Sequence, residues 1–414
     1  MSQTQHVFII GSKSIGQYGG YETFVDKLTE QHAGDSALQY HVACKANGEG
    51  CMDEARLQGV RVTGKNKDGE VTEFIYHGAR AFKIKVPNIG PAVAIYYDVA
   101  AVRACLRYCR AHQIPHPIFY ILTCRIGPFI AGLKRQIAAL GGALYLNPDG
   151  HEWMRSKWSP AVRRYWKYSE KTMVRQADCV VCDSRNIEKY IQREYAAMRP
   201  RTCFIAYGAD LDVATAEGTD EKYARWLSEH DLEAGEYYLV VGRFVPENNF
   251  ATMIREYMAS RTTRPLALVT NLNGKFSDEL EQQLGFSKDG RIRFVGTVYD
   301  AALLRRIREN ARGYLHGHEV GGTNPSLLEA LSCTRVNLLL DVGFNREVGL
   351  DAALYWTKEP GSLAALIQRA DELSDDECEA MGQQARDRIR QAYSWPYIAG
   401  QYRELWLEQE NAVR

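Results

Sequence analysis

The sequence has no run of about twenty apolar residues, the length that a membrane-spanning helix requires. Its first residues, MSQTQHVFIIG, enter an apolar segment at once, without the basic region, long apolar core and cleavage site of a secretory signal. We therefore expect neither a spanning helix nor a signal peptide, and we predict a cytoplasmic protein.

The ten cysteines form no disulfide or zinc pattern. Cys179 and Cys182 have the C-x-x-C spacing of redox and metal sites, but they lie in the segment ADCVVCDS, which is typical of a buried strand. Cys105 and Cys109 lie on one face of a predicted helix. Buried thiols of this kind are mostly core residues, so we predict a reducing compartment and no cysteine-based metal site.

The length of 414 residues, with 45% hydrophobic and 25% charged residues, is typical of a soluble globular protein with two domains. The formal net charge is zero, but residues 1–213 hold 28 Lys and Arg against 20 Asp and Glu, and residues 214–414 have the opposite imbalance. Two explanations fit this split. The first half meets an anionic partner, such as a phospholipid surface or a diphosphate, or the two halves attract one another.

Apolar segments alternate with segments of helical periodicity along the whole chain, which predicts an α/β protein with parallel sheets. The predicted strands are Val7–Ile10, Tyr40–Cys44, Val71–Tyr76, Pro117–Leu122, Ala143–Leu146, Cys179–Cys182, Thr202–Ala206, Tyr237–Val241, Leu266–Thr270, Ile292–Val295, Ala311–Leu315 and Val336–Leu340. The predicted helices are Tyr21–Gln31, Ala92–His112, Ser156–Gln176, Ser326–Ser332, Ser374–Gln391 and Trp395–Gln409, and Lys83–Pro91 is a predicted basic loop. Small and acidic residues in Tyr207–Glu221 predict a linker between domains 1–213 and 214–395.

The segment HGHEVGGTNPSLLEAL, residues 316–331, combines a glycine pair with the start of a helix. Gly321 and Gly322 allow a sharp turn or a close approach to a ligand, Asn324 is a good N-cap, and Pro325 suits the first helical position. The free N–H groups and partial positive charge of such a helix start suit a phosphate.

Two side chains near that phosphate position have the chemistry to bind a nucleotide. Glu329 lies one turn into the helix, where its carboxylate can accept hydrogen bonds from ribose hydroxyls. Arg243 follows the strand Tyr237–Val241 and can make paired hydrogen bonds to phosphate oxygens. The alternatives are a capped helix with Glu329 in solvent, and an ordinary surface ion pair for Arg243.

The first half contains two further polar segments after predicted strands. Gly16, Gly19 and Gly20 join the first strand to the first helix, as in nucleotide-binding α/β units, but without a G-x-G-x-x-G fingerprint. The segment NPDGHEWMRSKW, residues 147–158, follows another strand, where active sites of parallel sheets gather. The alternative to an active-site role for this segment is a polar loop that caps the next helix. The charged residues of this segment are Asp149, His151, Glu152, Arg155 and Lys157.

The helix Ser156–Gln176 interleaves five basic residues with tryptophan and tyrosine. Such a helix suits an anionic membrane surface, and it also fits a solvated face with its aromatics in the core. Because the sequence contains no nucleic-acid-binding module, we predict no nucleic-acid partner.

These segments resemble retaining glycosyltransferases of family 4, and within it the bacterial polysaccharide rhamnosyltransferases. The resemblance covers nearly the whole chain and is carried by VGGTNPSLLEA, by the glycine pair followed by YETFV at residues 19–25, and by DGHEW with the following Arg and Lys-Trp. Two positions depart from the wider family. Gly321 occupies the place of the first Glu of the family's Glu pair, and Asn248 that of a Lys that shares the diphosphate.

The resemblance implies the GT-B architecture: two Rossmann-like domains with a deep interdomain cleft, and a C-terminal helix 396–414 that packs back toward the first domain. It implies transfer of L-rhamnose from dTDP-β-L-rhamnose to a lipid-diphosphate-linked saccharide for a surface polysaccharide, at the inner face of the plasma membrane. By this resemblance the diphosphate is bound by Gly19, Gly20, Arg243, Asn248, Gly322, Thr323 and Asn324, the ribose by Glu329, the nucleobase by Thr297, Val298 and Tyr299, and the acceptor by Glu22 and Arg155, with Asp149, Glu152 and Glu319 at the catalytic centre.

The chemistry of this reaction requires stabilisation of a departing diphosphate, which Arg243 and backbone amides provide without an Asp-x-Asp metal motif. We therefore expect no metal and no cofactor. Retention of configuration has two routes, a covalent carboxylate intermediate or same-face attack assisted by the leaving phosphate, and we favour the second. The alternatives to the rhamnosyltransferase are a UDP-hexose transferase, a nucleotide-sugar epimerase and an inactive binding module.

Overall fold

The computed structural model describes residues 4–17, 19–155, 158–211, 217–272 and 274–412. The chain divides into two compact units. Unit 1 comprises Met1–Ala206 and Trp395–Arg414, and unit 2 comprises Tyr207–Ser394. Each unit contains one sheet with helices on both of its faces, which confirms the predicted α/β class, whereas the expected cleft between domains stays a prediction.

The described elements follow one another in alternation along most of the chain. In order they are β1 (Gln5–Ile10), α1 (Gly20–Gln31), β2 (Leu38–Lys45), β3 (Arg61–Lys65), β4 (Val71–Tyr76), β5 (Ala79–Ile84), α2 (Val93–Ala111), β6 (Ile118–Leu122), α3 (Gly127–Ala138), β7 (Ala143–Asn147), α4 (Pro160–Gln176), β8 (Cys179–Cys182), α5 (Arg185–Glu194), β9 (Thr202–Phe204), α6 (Thr219–His230), β10 (Tyr238–Val241), α7 (Phe250–Ala259), β11 (Leu266–Val269), α8 (Lys275–Leu284), β12 (Ile292–Phe294), α9 (Ala301–Glu309), β13 (Gly313–His316), α10 (Pro325–Cys333), β14 (Asn337–Leu340), α11 (Gly343–Gly349), β15 (Leu354–Trp356), α12 (Ser362–Glu372), α13 (Asp375–Ala392) and α14 (Trp395–Ala412).

The sheet of unit 1 has the strand order β3-β4-β5-β2-β1-β6-β7-β8-β9 among the described residues. Its pairings are parallel except β3–β4 and β4–β5, so the predicted parallel sheet is wrong at this edge. β3, with the sequence RVTGK, is almost wholly exposed and has no apolar face for a sequence pattern to reveal. The predicted loop Lys83–Pro91 begins too early, because Lys83 and Ile84 pair with β2 as part of β5.

The two faces of this sheet bury different helices. Phe8 and Ile10 of β1 share one core with α2, α3, α4 and α5. The opposite face carries aromatic side chains that contact α1 and α14: the rings of Tyr120 and Trp406 lie 5.3 Å apart, and Trp406 Nε1 donates to Tyr40 Oη over 3.0 Å. The C-terminal helix is therefore part of unit 1.

Unit 2 has a parallel sheet with the order β12-β11-β10-β13-β14-β15 in the described part of the chain. Alternate residues of β10 enter opposite cores: Tyr238 and Val240 pack with α7 and α12, whereas Leu239, together with Tyr237 just before the strand, packs with α6 and α9. Because all pairings are parallel, the loops after β10, β12 and β13 lie at the same end of the sheet, beyond the carboxyl ends of its strands.

All twelve predicted strands have counterparts, and the six predicted helices correspond to α1, α2, α4, α10, α13 and α14. The predicted helix Ser156–Gln176 begins at Pro160, with Ser159 as its N-cap, and residues 156 and 157 lie outside the described residues. The predicted linker also lies partly outside them, at 212–216. No described helix has the length and apolar character needed to cross a membrane.

The cysteines behave as core residues. Cys179 and Cys182 are fully buried in β8, and the Sγ atom of Cys179 lies 3.7 Å from that of Cys203. All ten cysteines are free thiols. The prediction of a buried strand for ADCVVCDS is confirmed.

Candidate functional site

In unit 2, Arg243 follows β10 at the carboxyl edge of the sheet. The side chain is exposed, and its guanidinium forms no hydrogen bond or ion pair with the described residues. The backbone around it is fixed, because its carbonyl accepts from Val245 N over 2.9 Å and from Asn248 Nδ2 over 2.8 Å. The guanidinium thus extends from a fixed backbone and is available for an anion, as its predicted diphosphate role requires.

Asn248 connects this loop to the loop after β13. Its Oδ1 lies 2.8 Å from His318 Nδ1, while its Nδ2 donates to the Arg243 carbonyl. Gly317 lies where a Cβ atom would come within 2.5 Å of the Asn248 carbonyl oxygen, so the two backbones meet closely at this position. Both ends of the Asn248 amide are engaged inside the protein. Its predicted contact with the diphosphate stays a prediction, and its observed contacts hold the two loops together.

The start of α10 has the geometry that the sequence predicted. Asn324 Oδ1 accepts from Ser326 N over 2.9 Å, and Pro325 occupies the first helical position. Gly321 adopts φ 129°, a conformation that a side chain would strain, so a Glu at the family's position would not fit this backbone without strain. The N-cap and the turn are therefore confirmed, and they aim the first amides of α10 at the carboxyl edge of the sheet.

Glu329 is held by a buried arginine that the sequence analysis did not identify. Arg308 of α9, whose side chain is 5% exposed, places Nη2 2.7 Å from Glu329 Oε2 and 3.0 Å from Ser326 Oγ. The Glu329 side chain is 47% exposed, so its carboxylate is anchored on one side and open to solvent on the other. The spacing of 21 residues between these two gives no local sequence signal, and only the packing of α9 on α10 brings them together.

The remaining residues predicted for unit 2 lie in the same set of loops. Glu319, predicted at the catalytic centre, forms an ion pair with Lys358, and its backbone N–H donates to the Glu247 carbonyl over 3.2 Å. His316 is buried at the end of β13, where desolvation holds its pKa well below the ordinary value and keeps it neutral. The predicted nucleobase residues follow β12, with Tyr299 exposed and Thr297 and Val298 half-buried.

In unit 1, the glycine loop after β1 is organised by Glu22. Its Oε1 accepts from the Lys13 backbone N–H over 2.8 Å, and its Oε2 lies where a Cβ on Gly19 would come within 2.1 Å. Gly19 is the N-cap of α1, whereas a Cβ on Gly20 would meet no atom within 4 Å. Glu22 therefore supports the loop from the first turn of the helix. The phosphate contacts of the glycine pair and the acceptor role of Glu22 stay predictions.

In the segment after β7, the charged residues Asp149, Glu152 and Arg155 differ in their bonding partners. Glu152 forms an ion pair with Arg155 and accepts from Trp158 Nε1 over 2.9 Å, so the predicted catalytic and acceptor residues are bound to one another. Asp149 accepts only from Gly150 N, over 2.8 Å, and forms no ion pair among the described residues. Asp149 and His151 both have positive φ, 57° and 45°. Such conformations cluster at functional sites, which favours Asp149 as the reactive carboxylate of this loop.

The loop after β6 contains a candidate that the sequence analysis missed. Thr123, a β-branched residue, adopts φ 87°, which is an uncommon conformation and strains the backbone. Two residues later, Arg125 donates through Nη1 to Gly11 O over 3.3 Å and to buried Asp98 over 3.2 Å. Its Nε and Nη2 make no hydrogen bond with the described residues. Arg125 therefore offers a fixed cation beside the loops that follow β1 and β7. In the sequence it is indicated only by the triplet Thr-Cys-Arg directly after an apolar strand.

The structure thus brings the predicted residues of each half to the carboxyl edge of one sheet. In unit 1 these are the loops after β1 and β7, and in unit 2 the loops after β10, β12 and β13 together with the start of α10. Across the described ranges, no three His, Cys, Asp or Glu side chains are grouped in a way that could hold a metal ion.

A family model described as a domain of unknown function (DUF1972) matches residues 4–210. No curated protein matches the chain. Among solved structures, the chain is similar to sucrose-phosphate synthase from Thermosynechococcus elongatus, with a TM-score of 0.73 and 17% identity over 99% of this chain and 100% of that one. It is also similar to a glycosyltransferase from Rickettsia africae, with a TM-score of 0.69 and 12% identity over 98% of this chain and 99% of that one. A third similar structure is HepE from Anabaena in complex with UDP, with a TM-score of 0.67 and 14% identity over 97% of this chain and 99% of that one. These likenesses show the GT-B fold.

Proposed function

Because the chain belongs to the DUF1972 family and has the GT-B fold, we propose that it is a glycosyltransferase that uses a nucleotide-sugar donor. The single observation that carries the proposal is the arrangement in unit 2. Arg243, whose guanidinium has no partner among the described residues, and the capped start of α10 both lie at the carboxyl ends of the strands. The anchored carboxylate of Glu329 lies one helical turn further into α10. A diphosphate and a nucleoside sugar need these two kinds of group at about this separation.

The donor binds unit 2 through charge and hydrogen bonds. Arg243 makes paired hydrogen bonds to the diphosphate, and the amides of Gly322, Thr323 and Asn324 add donors at the helix start. Glu329 accepts hydrogen bonds from the sugar of the nucleoside, and the turn Thr297–Tyr299 contacts the base. Arg308 has a positioning role, since it fixes Glu329 without facing solvent itself.

In the reaction, the bond between the anomeric carbon and the diphosphate oxygen breaks, and the nucleoside diphosphate leaves with the bonding electrons. The acceptor hydroxyl oxygen forms the new bond on the same face, and its proton passes to a phosphate oxygen, so configuration is retained. Arg243 and the α10 amides stabilise the negative charge that develops on the leaving group. Asp149 of unit 1 stabilises the positive charge of the sugar ring or orients the hydroxyl, because Glu152 and Glu319 are already bound to cations.

For the donor we propose dTDP-β-L-rhamnose and for the acceptor a lipid-diphosphate-linked saccharide. This proposal is supported by the sequence motifs VGGTNPSLLEA and DGHEW, which resemble those of rhamnosyltransferases. A UDP-hexose donor is the second candidate, because similar structures were solved with UDP and glucose, as for HepE, or with UDP-2-fluoro glucose, as for a trehalose-6-phosphate protein of E. coli. On the acceptor side, Arg125 joins Glu22 and Arg155 as a candidate, since its free N–H groups suit a phosphate of the acceptor.

A donor screen tests the proposal. Release of nucleoside diphosphate is measured from dTDP-β-L-rhamnose and from UDP-, GDP- and ADP-sugars, with and without a lipid-diphosphate-linked saccharide. Acceptor-dependent release from dTDP-β-L-rhamnose supports the full proposal, and release from a UDP-hexose alone selects the second candidate. Free rearranged nucleotide sugar without acceptor, or no turnover of any donor, would overturn glycosyl transfer.

Arg243→Gln provides the structural control of the same experiment. We expect it to weaken nucleoside diphosphate binding at least tenfold, because losing even one of the paired charge-assisted hydrogen bonds costs about 1.5–3 kcal/mol. Arg225→Gln is the matched variant, because Arg225 is also exposed and makes no ion pair within the described part of unit 2. Equal effects of the two substitutions on binding would contradict the site.

A further inference from the structure

The outer surface of unit 1 contains one layer of helices with an unusual charge distribution. α2, α3 and α4 all pack on the same face of the sheet, and α3 contacts both of the others. Their outward faces therefore point to the same side. We refer to these outward faces together as the three-helix face.

The three helices contain ten Lys and Arg residues but only two acidic residues. Both acids point inward: Asp98 is fully buried beside Arg125, and Glu170 is 4% exposed and accepts from the hydroxyl of Tyr190. The charged residues that these helices themselves present to solvent are thus all positive.

Most of these cations have no acidic neighbour. Lys134 is paired with Asp178, just after α4, and Lys167 with Glu194 of α5, and these acids lie at the border of the face. Seven exposed cations form no ion pair among the described residues: Arg103, Arg107, Arg110, Arg135, Arg164, Lys171 and Arg175. Like charges without ion pairs on one surface repel each other, so an anionic partner gains from all seven.

The same layer of helices also exposes apolar and aromatic side chains. Tyr96 of α2 is 45% exposed, Phe129 of α3 46% and Tyr168 of α4 57%, and Ile89 just before α2 is 46% exposed. Each helix contributes one aromatic ring. A cationic surface with amphipathic or apolar side chains suits the interface of an anionic bilayer, where the charges meet headgroups and the rings enter the boundary region.

We propose that the three-helix face is the surface by which this protein binds anionic membranes. The charge complementarity extends over three helices, of which the sequence analysis had singled out only α4. The face belongs to unit 1, whereas the proposed donor residues belong to unit 2. Membrane binding stands independently of the proposed glycosyl transfer, and its test needs no nucleotide sugar.

Vesicle flotation tests the charge dependence with the full-length protein. We expect it to float with vesicles of phosphatidylglycerol and phosphatidylcholine, to stay unbound with phosphatidylcholine alone, and to be released near 1 M salt, where the Debye length is about 3 Å. The triple substitution Arg107→Gln, Arg135→Gln and Lys171→Gln takes one cation from each helix. Each basic residue near such a surface is worth about a fivefold change in binding, so we expect a loss of roughly 100-fold.

A control triple in unit 2 has the same change of charge. Arg225→Gln, Arg261→Gln and Lys288→Gln also remove three exposed cations that form no ion pair in the described residues. If the control lowers vesicle binding as much as the triple in the three-helix face, net charge rather than this surface is responsible and the proposal is wrong.

A spectroscopic variant separates a membrane from nucleic acid, the other polyanion that a cationic face can bind. Phe129→Trp places a reporter on the face, and we expect its difference spectrum from the natural chain to shift to the blue on anionic vesicles and to be quenched by brominated lipids. A reporter unchanged by vesicles, or a duplex RNA that binds more tightly than the vesicles at the same salt, would overturn the membrane assignment.

Discussion

The buried carboxyl of Asp98 makes the stability of unit 1 depend on pH. Asp98 is fully buried, and its two carboxylate oxygens lie 3.2 and 3.5 Å from Nη1 of Arg125. Burial raises the pKa of Asp98 from 3.8 to about 6, against the opposing attraction of Arg125. Asp98 is the internal support of Arg125, our candidate for the acceptor side, so its ionisation also determines whether that arginine has a charged partner.

The sign of the effect follows from the two protonation states. Between the unfolded and folded pKa values, the folded protein keeps a proton that the unfolded chain releases. The contribution of Asp98 to the free energy of unfolding is therefore complete below about pH 4 and is lost as the pH rises through about 6. A difference of about two pKa units corresponds to about 3 kcal/mol.

Asp98→Asn isolates this contribution, because the amide keeps the shape and one oxygen acceptor for Arg125 but cannot ionise. We expect the free energy of unfolding of the natural chain to fall by about 3 kcal/mol more than that of the variant between about pH 4 and pH 7. Urea unfolding monitored by hydrogen exchange of the α2 amides measures it within unit 1. Asp68→Asn is the matched control, since Asp68 is exposed and its side chain forms no ion pair among the described residues.

Equal losses of stability in the natural chain and in Asp98→Asn would refute the reasoning. A second variant tests the opposing attraction. Arg125→Met removes the cation that favours the ionised carboxylate, so the pKa of Asp98 should rise further and the loss of stability should move to higher pH. A shift to lower pH would contradict the assigned role of Arg125.

Three further predictions concern the candidate site. Asp149→Asn should lower the single-turnover rate far more than donor affinity, and a rate within about threefold of the natural enzyme, less than about 1 kcal/mol of barrier, would contradict its catalytic role. Gly317→Ala should weaken nucleoside diphosphate binding, because its Cβ would lie 2.5 Å from the Asn248 carbonyl oxygen, while Gly290→Ala, with no atom within 4 Å, should leave calorimetric titrations unchanged. Glu329→Ala should remove most transfer from a folded protein, and donor binding equal to that of the natural enzyme would argue against the ribose contact.

Local features of the chain were predictable because they depend on neighbours in sequence. Apolar runs of four or five residues defined β6, β7, β8 and β14, whose side chains are buried on both faces of a sheet. The start of α10 followed from Asn324 and Pro325, because capping involves a side chain and an amide two residues apart. The amphipathic helices and the α/β class followed from periodicity in the same way.

The pairings that define the candidate site depend on the tertiary structure. Arg308 reaches Glu329 from a different helix, and Arg125 reaches Asp98 across 27 residues. No local pattern encodes these contacts, because each depends on how two separately formed elements pack on a sheet. The antiparallel edge at β3 was missed for the same reason, since its exposed strand is specified by pairing with β4 rather than by an apolar face.

The sequence by itself therefore determined which residue types occur at the ends of strands and helices, and through them the class of ligand that those ends suit. Only the tertiary structure decided which of those residues stay available. It bound Glu152 to Arg155 and Asn248 to His318, and it left the guanidinium of Arg243 without a partner in the described part of unit 2. The physical reason is that a charged group near others in space exchanges hydration for the nearest opposite charge or hydrogen-bond partner, and that nearest group is fixed by packing rather than by sequence distance.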